Sequence, residues 1–351
     1  MKPIVRIGET AMSVEDFGTY GGESVQRVTI RGGGLTAKVL TWGAVVQDLR
    51  LAGHPAPLVL GYDEFASYPE RSPYFGAIVG RHANRIRHGQ FMIDGERFQA
   101  DCNEATGHSL HGGSQGMSQR LWTLADHGTD RVTLAYTARA GEMGFPGTLK
   151  VTCTYRLAAG GRFIVETQAS TDEPTLCNLA QHSYFNLDDG GRGSVEGHRM
   201  VLHASAYLPV DDELIPTGAV LPVAGTPFDF RFARPVRTEG GLAAYDHNFC
   251  LTACRGPLRQ AAWVQGARSG VEMEIWTTEP GLQVFDGLGL SKMGPGLGGI
   301  RYGEFAGMAM ETQVWPDSPN HGHFPQAVLR PGETCRQLTE YRFRLDVDDA
   351  P

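Results

Sequence analysis

Residues 150–157 read KVTCTYRL, and this stretch indicates the fold class. Apolar side chains at positions 151, 153, 155 and 157 alternate with polar side chains at 152, 154 and 156. Successive side chains of a β-strand point to opposite faces, so a period of two predicts a strand with one face on a core and one in water. The alternation recurs at residues 271–276 (VEMEIW) and 341–347 (YRFRLDV). Half-buried strands of this kind are typical of antiparallel sheets.

Turn signals and further strand candidates extend this pattern along the chain. Asp94-Gly95, inside FMIDGERFQ, predicts a hairpin because glycine tolerates the positive φ of a type I′ turn. Glycine supplies 46 of the 351 residues, about twice its usual ~7% share. Residues 63–70 are expected to form a short helical turn, and no long amphipathic helix is expected. The sequence therefore predicts one all-β domain over residues 1–351, a large β sandwich of mostly antiparallel strands. The further strand candidates are residues 35–50, 132–138, 162–169, 198–203 and 282–288.

Composition argues against several classes of function. The net charge of -8 is spread without blocks of one sign, which argues against a nucleic-acid partner. The N-terminal MKPIVRIGET has no apolar signal-peptide region, and no window holds the ~18 apolar residues of a membrane span. The six cysteines form no CxxC pair. We therefore expect reduced thiols, no membrane association and a cytoplasmic location.

Two polar clusters lie in the first third of the chain. In GRHANRI (80–86), Arg81 and Arg85 flank Asn84 and could clamp hydroxyls or a carboxylate, or could form a surface ion-pair cluster. In HSLHGG (108–113), the two glycines allow a sharp turn that leaves His111 at a strand end. An incidental histidine in a turn is the alternative for that position.

Three more clusters follow. His182 lies in the strand-like NLAQHSYFNL (178–187), where a satisfied core histidine is the plainer interpretation. Asp246, in YDHNF (245–249), could accept hydrogen bonds from vicinal hydroxyls or could close an Asx turn. Glu311 follows the apolar residues FAGMAM (305–310) and is the first residue of ETQVWPDSPN. Burying a glutamate costs folding free energy unless the carboxylate has a partner. Together the five clusters supply many directional hydrogen-bond donors and acceptors with little net charge, which suits a neutral polyhydroxy ligand.

In this order and spacing, the clusters GRHANRI, HSLHGG, NLAQHSYFNL, DHNF and ETQVWPDSPN resemble the aldose 1-epimerases, also called galactose mutarotases. The resemblance runs from about residue 20 to the C-terminus and implies a large β sandwich. It implies that His182 is the general acid and Glu311 the general base. The sugar-binding positions that it implies are Asn84, Arg85, His111, Asp246 and Gln283.

The sequence departs from the family pattern at a few positions. Gln181 stands where asparagine commonly precedes the histidine, Met117 stands where phenylalanine is frequent, and Val284, Phe285 and Asp286 occupy a QFYTG-like stretch. The acid–base pair is intact, so these departures bear on the preferred sugar.

The reaction that the resemblance implies needs only two proton transfers. Glu311 begins ionised and takes the proton of the C1 hydroxyl, while protonated His182 supplies one to the ring oxygen. A nearby carboxylate is expected to keep His182 charged, so the acid limb of the pH profile would belong to the carboxylate and the alkaline limb to the imidazole. No cofactor is expected, since no hydride or phosphate moves and no GxGxxG or Walker A loop is present.

Other interpretations remain at the level of the sequence. A non-catalytic sugar-binding or sugar-sensing module on the same fold is the alternative function. A glycoside hydrolase would pair Glu311 with Asp246 but would leave the histidines without a role. His321-Gly-His323 and His108-x-x-His111 have metal-ligand spacings, but such spacings arise by chance among 12 histidines, and we predict no metal. The predicted partner is a small monosaccharide, and the chain is expected to be a monomer or homodimer.

Overall fold

The alternating stretches form strands, and short turns separate them. The structure, a computed structural model, describes residues 13–72, 74–237 and 244–345. The N-terminal MKPIVRIGET and Val347, both used in the sequence analysis, lie outside the described residues. Within those ranges, helix is limited to α1 (Ser67–Arg71) and to short 3₁₀ turns such as Met117–Gln119 and Ser318–Asn320.

The strands, in chain order, are β1 (Ser13–Tyr20), β2 (Glu23–Gly32), β3 (Leu35–Leu40), β4 (Val46–Leu51), β5 (Ile78–Val79), β6 (Arg85–Ile86), β7 (Gln90–Ile93), β8 (Glu96–Gln99), β9 (Ser109–Leu110), β10 (Thr123–His127), β11 (Arg131–Ala138), β12 (Leu149–Ala158), β13 (Arg162–Thr171), β14 (Thr175–Leu176), β15 (Ala180–Gln181), β16 (Tyr184–Phe185), β17 (Arg199–Leu202), β18 (Ala206–Tyr207), β19 (Leu221–Pro222), β20 (Arg234–Pro235), β21 (Asp246–Cys250), β22 (Arg259–Gln265), β23 (Glu272–Thr277), β24 (Gly281–Phe285), β25 (Met308–Gln313), β26 (Val328–Leu329) and β27 (Cys335–Arg344).

Three sheets hold most of these strands. A nine-stranded sheet has the order β10-β11-β12-β13-β27-β23-β22-β17-β20, and a six-stranded sheet has the order β16-β25-β24-β21-β18-β19. A four-stranded sheet, β1-β2-β3-β4, follows chain order. The pairings within these sheets are antiparallel, as in β12 with β13 and β24 with β25. The prediction of an all-β fold with mostly antiparallel strands is confirmed.

The nine-stranded and six-stranded sheets face each other across one hydrophobic core. Tyr341 of β27 packs its ring 4.9 Å from that of Phe185 of β16 and donates a hydrogen bond to the Met310 carbonyl oxygen of β25. Thr312, two residues along β25, hydrogen-bonds Thr339 of β27 at 2.6 Å. Because side chains alternate along a strand, the intervening Glu311 points away from this core.

Local predictions of turns agree with the structure, with one correction. Asp94 and Gly95 have φ values of 51° and 86° and join β7 to β8, as the type I′ hairpin requires. The candidate strand 35–50 is wrong as a single element, because it is divided into β3 and β4. Gly43 and Ala44, at φ values of 64° and 49°, turn the chain between these strands.

No helix among the described residues combines the length and apolar character needed to cross a membrane.

We predict that Phe163→Ala lowers the free energy of unfolding by about 3–5 kcal/mol, the usual cost of truncating a buried aromatic residue. Phe163 is fully buried and stacks between Tyr155 and Tyr341, with ring centroids 5.6 and 6.0 Å away. Urea unfolding followed by circular dichroism measures the change. Met92→Ala, at a side chain that is 55% exposed, is the control and should change stability by less than about 0.5 kcal/mol. Equal losses in both variants would contradict this placement of the core.

Candidate active site

Glu311 lies at the centre of a strand that is covered on both faces. All six residues of β25 are buried, and Glu311 is 2% exposed. It pairs across the sheet with Gln283 of β24, on the face opposite the core. Its Oε2 atom has no hydrogen-bond partner within the described residues. A buried carboxylate oxygen in this condition is costly for folding and available to a ligand.

His182 faces Glu311 from the short link between β15 and β16. Its backbone is held on both sides, since its N–H donates to the Ala77 carbonyl oxygen and its own carbonyl oxygen accepts from the Gly76 N–H, each at 2.9 Å. The imidazole Nε2 lies 3.5 Å from Glu311 Oε1, and the histidine is 4% exposed. The structure therefore brings together the two residues predicted as acid and base.

His111 reaches the same place through a tight turn. It has φ 53°, and Gly112 follows at φ 86°, where a Cβ atom would lie 2.0 Å from the Gly80 carbonyl oxygen. The predicted sharp turn at Gly112 and Gly113, with His111 at a strand end, is therefore confirmed. The Asn84 N–H donates to His111 Nδ1 at 3.1 Å, so neutral His111 carries its proton on Nε2 and presents a donor. The rings of His111 and His182 have centroids 5.1 Å apart.

Arg85 and Asp246 form the other side of the site. The Arg85 guanidinium donates to both oxygens of Glu104, from Nε at 2.9 Å and from Nη2 at 2.9 Å. Its Nη1 atom lies 3.5 Å from Asp246 Oδ2. Gln283 donates to Asp246 Oδ1 at 2.6 Å. Each polar group here has its orientation set by another group.

These side chains line a cavity of about 150 Å³, which is below the ~300–1,000 Å³ typical of pockets for drug-sized ligands and suits a single sugar ring. Gln283 is buried and reaches the site through Asp246 without lining the cavity. Arg81 does not join the site, because its guanidinium donates to backbone carbonyl oxygens such as those of Pro146 and Arg139. The lining residues are Tyr74, Asn84, Arg85, Leu110, His111, His182, Tyr184, Asp246, Phe285 and Glu311.

Burial shifts the pKa values of Glu311 and His182 in opposite directions. Burial, reinforced by the charge of Asp246, raises the pKa of Glu311 well above its usual range. Burial lowers the pKa of His182 to about 4. The expectation that a nearby carboxylate keeps His182 charged is therefore wrong in this structure. Desolvation of both groups outweighs their attraction, and the pair favours neutral forms.

One group of three potential metal ligands occurs among the described residues. Nitrogen and oxygen atoms of His111, His182 and Glu311 lie within 4.8 Å of one another, which the prediction of no metal did not anticipate. A metal on His111 Nε2 would have to displace the proton that the Asn84 N–H bond places there. The arrangement therefore suits hydroxyl groups better than a cation. Two histidines whose spacing in the sequence resembled that of metal ligands have other contacts. His108 contacts Glu213, and His323 contacts the Gly218 carbonyl oxygen.

Sequence reasoning missed several residues of the site. Tyr74 packs against His111 and His182, with ring centroids 4.6 and 5.6 Å away, and it adopts φ 68°. A tyrosine in this region of φ is a strained outlier, and such strain is concentrated at functional sites. Tyr184 lies inside the motif of His182, whereas Glu104 precedes HSLHGG in an ordinary-looking loop. No local signal in the sequence marks Tyr74 or Glu104.

The fold and the site together define a class of protein. The antiparallel β protein contains a sugar-sized cavity in which a buried carboxyl and a buried imidazole lie 3.5 Å apart. This arrangement is typical of an enzyme that transfers protons to and from a polar ligand. The sequence model of the aldose 1-epimerase family matches residues 26–342. The chain belongs to the aldose 1-epimerase family.

Individual relatives agree with this assignment. The chain is 40% identical to the galactose mutarotase of Mus musculus, over 93% of this chain and 96% of that protein. It is 34% identical to the aldose 1-epimerase of Escherichia coli K12, over 92% and 96%. It also resembles the crystal structure of a GalM/aldose epimerase homologue from C. elegans, with a TM-score of 0.85 and 30% identity over 92% of this chain and 99% of that one.

We predict that Glu311→Gln stabilises the fold, and increasingly so as the pH rises. The pKa of Glu311 is raised by folding, so its contribution to stability is present below the unfolded value and lost as the pH passes the folded value. Glutamine has nearly the same shape and never ionises. The difference in Tm between the variant and the original protein should therefore widen as the pH rises above the unfolded pKa value of about 4.5. Glu64→Gln, at an exposed position, is the control, and a gap of constant size for Glu311→Gln would count against a raised pKa.

Proposed function

We propose that the protein is an aldose 1-epimerase that interconverts the α and β anomers of a free aldose. The observation that carries this proposal is the buried pair of His182 Nε2 and Glu311 Oε1, 3.5 Å apart in the sugar-sized cavity. Membership of the aldose 1-epimerase family supports the same reaction. A binding module would gain nothing from burying this pair, whose two members both resist ionisation.

In the proposed reaction Glu311 and His182 move two protons. The free Glu311 Oε2 accepts the proton of the C1 hydroxyl, and His182 Nε2 donates a proton to the ring oxygen as the C1–O5 bond breaks. The open-chain aldehyde then rotates about the C1–C2 bond. The aldehyde carbon is attacked on its other face by the C5 hydroxyl, which returns its proton to His182 while Glu311 returns its proton to O1. The enzyme ends unchanged and the sugar has the opposite configuration at C1.

The remaining polar groups hold the sugar. We propose that His111 donates from Nε2 to a hydroxyl close to the reacting carbon, since its ring adjoins that of His182. Arg85 and Asp246 hold the sugar hydroxyls that are farthest from C1, and Asn84 lines the cavity beside them. Gln283 orients Asp246 through their hydrogen bond. Many directional bonds with little net charge suit a neutral sugar.

The resting pair shares a single proton. A neutral carboxylic acid beside a neutral imidazole contains the same number of protons as a carboxylate beside an imidazolium. Transfer of one proton over the 3.5 Å between Glu311 and His182 converts the first form into the reactive second form. A bound sugar favours the second form by donating its C1 hydroxyl to Glu311.

Three further parts of the proposal concern the whole chain. We propose that residues 1–351 act as one domain, because one hydrophobic cluster runs from Val28 to Phe343 and includes residues of all three large sheets. We also propose a cytoplasmic monomer or homodimer that acts on a free monosaccharide without a cofactor. Six free cysteines within the described residues are compatible with a reducing compartment.

We predict that Glu311→Gln and His182→Ala each reduce kcat by about 10²–10⁴-fold, because each removes one of the two proton transfers. The double variant should be little worse than either single variant, since acid and base act in one step. Polarimetric relaxation of a freshly dissolved pure anomer measures the rate. The matched control is Glu340→Gln, a buried glutamate outside the site that pairs with Arg342. A folded Glu311→Gln enzyme with the original rate would remove Glu311 from the mechanism.

We also predict that the pH profile of kcat/KM is bell-shaped and that its alkaline limb belongs mainly to the Glu311 carboxyl. The pKa of His182 is lowered to about 4 and that of Glu311 is raised well above its usual value, so the carboxyl loses its proton last. Carboxyl ionisation has a small enthalpy and imidazole ionisation a large one. The alkaline limb should therefore move little with temperature. A limb that shifts clearly toward lower pH on warming would assign it to His182, as the sequence alone suggests.

A further inference from the structure

Arg85 is the one arginine or lysine that lines the cavity within the described residues. Its side chain is 11% exposed, and its guanidinium is already engaged by two carboxylates. Glu104 takes Nε and Nη2 in a two-point pair at 2.9 and 2.9 Å, while Asp246 lies 3.5 Å from Nη1. A planar guanidinium binds a carboxylate or phosphate best through such a pair of parallel N–H donors. Glu104 thus occupies one of the two forks through which the guanidinium could hold an anionic ligand, and Asp246 adjoins the other at Nη1.

The charges around the cavity sum to a negative value. Arg85 contributes one positive charge, and Glu104 and Asp246 contribute two negative charges. His111 and His182 add none near neutral pH, because burial lowers the pKa of each imidazole. Proton transfer from Glu311 to His182 leaves this sum unchanged, because the imidazolium balances the carboxylate. The nearby Arg87, outside the lining, is also paired, with Asp211.

Glu104 is held firmly where it can have this effect. Its N–H donates to the His108 carbonyl oxygen at 3.2 Å, and its carbonyl oxygen accepts from the Gly107 N–H at 3.0 Å. The preceding Asn103 bonds both the N–H and the carbonyl oxygen of Leu110. The loop is thereby tied to the turn that carries His111. Recognition of a neutral sugar needs no such carboxylate behind Arg85, since an unpaired guanidinium donates to hydroxyls equally well.

We propose that Glu104 makes the enzyme select its substrates by charge. Together with Asp246 it neutralises Arg85. The cavity therefore rejects anionic aldoses such as uronic acids and sugar phosphates, and it admits neutral aldoses and amino sugars. The proposal rests on the proposed epimerase function. The cavity is small and largely screened from water, so a charge on any part of the sugar interacts strongly with these groups. Glu104 acts through Arg85 and is a positioning residue.

The test compares substrates of similar shape and different charge. The probes are galactose, galactosamine, galacturonate and the methyl ester of galacturonate, which is neutral. Exchange between anomers is measured at equilibrium by NMR magnetisation transfer, so no pure anomer is needed. For the original protein we expect kcat/KM for the ester to exceed that for galacturonate by about tenfold or more, with the gap narrowing at high salt.

Two variants separate charge from shape. Glu104→Gln removes the negative charge and retains one acceptor for Arg85, so the ratio of galacturonate to galactose activity should rise by about tenfold and that of galactosamine should fall. Glu104→Asp keeps the charge and shortens the side chain, so it perturbs the loop without freeing the guanidinium charge. The substrate ratios of Glu104→Asp should stay close to those of the original protein.

Each result has a definite consequence. Equal activity of the original protein on galacturonate and its ester would overturn the charge filter, whatever the variants do. A gain on galacturonate in Glu104→Asp as large as in Glu104→Gln would also overturn it, because the effect would then come from shape. Failure to interconvert any neutral aldose would instead refute the proposed function, which keeps the two failures distinct.

Discussion

The burial of Glu311 beside His182 is the constraint on which the rest of the structure depends. Both groups resist ionisation because water is excluded from them, yet they stand 3.5 Å apart, close enough to share one proton. The two-sided cover of β25 creates this condition, since the nine-stranded sheet packs on one face and the loops carrying Tyr74 and His111 pack on the other. Exposure of the face that carries Glu311 would return both pKa values toward normal and would let water compete for the protons.

The loops over the site are held in strained backbone conformations, and the stability of the sheets compensates for this strain. Tyr74, Asn84 and His111 all have positive φ, at a cost of order 1–3 kcal/mol each for residues other than glycine. Direct bonds between the Asn84 and His111 backbones and side chains hold two of them in place. The large hydrophobic core supplies the stability against which this strain is tolerated. The result is a rigid set of donors whose directions are fixed before a sugar arrives.

Charge is balanced around Arg85 in the same manner. The guanidinium is neutralised by Glu104 and Asp246, and Asp246 is oriented in turn by Gln283. A cavity built in this way presents many hydrogen bonds with a slight negative bias. Arg85 and Asp246, which carry the proposed charge filter, therefore line the same cavity as His182 and Glu311 of the proposed proton transfer.

The sequence by itself predicted several strands and turns and proposed His182 and Glu311 as acid and base. Alternation in residues 150–157 and the Asp94-Gly95 turn are local, so neighbouring residues suffice to predict them. The motifs around His182 and Glu311 indicated their roles through resemblance, although 129 positions separate them (311 minus 182). Only the tertiary structure decided that Glu104 pairs with Arg85, that Tyr74 packs on both histidines and that Arg81 points elsewhere. It also decided the order of the two pKa values, because desolvation is set by the whole set of segments packed around a group and by no short stretch of sequence.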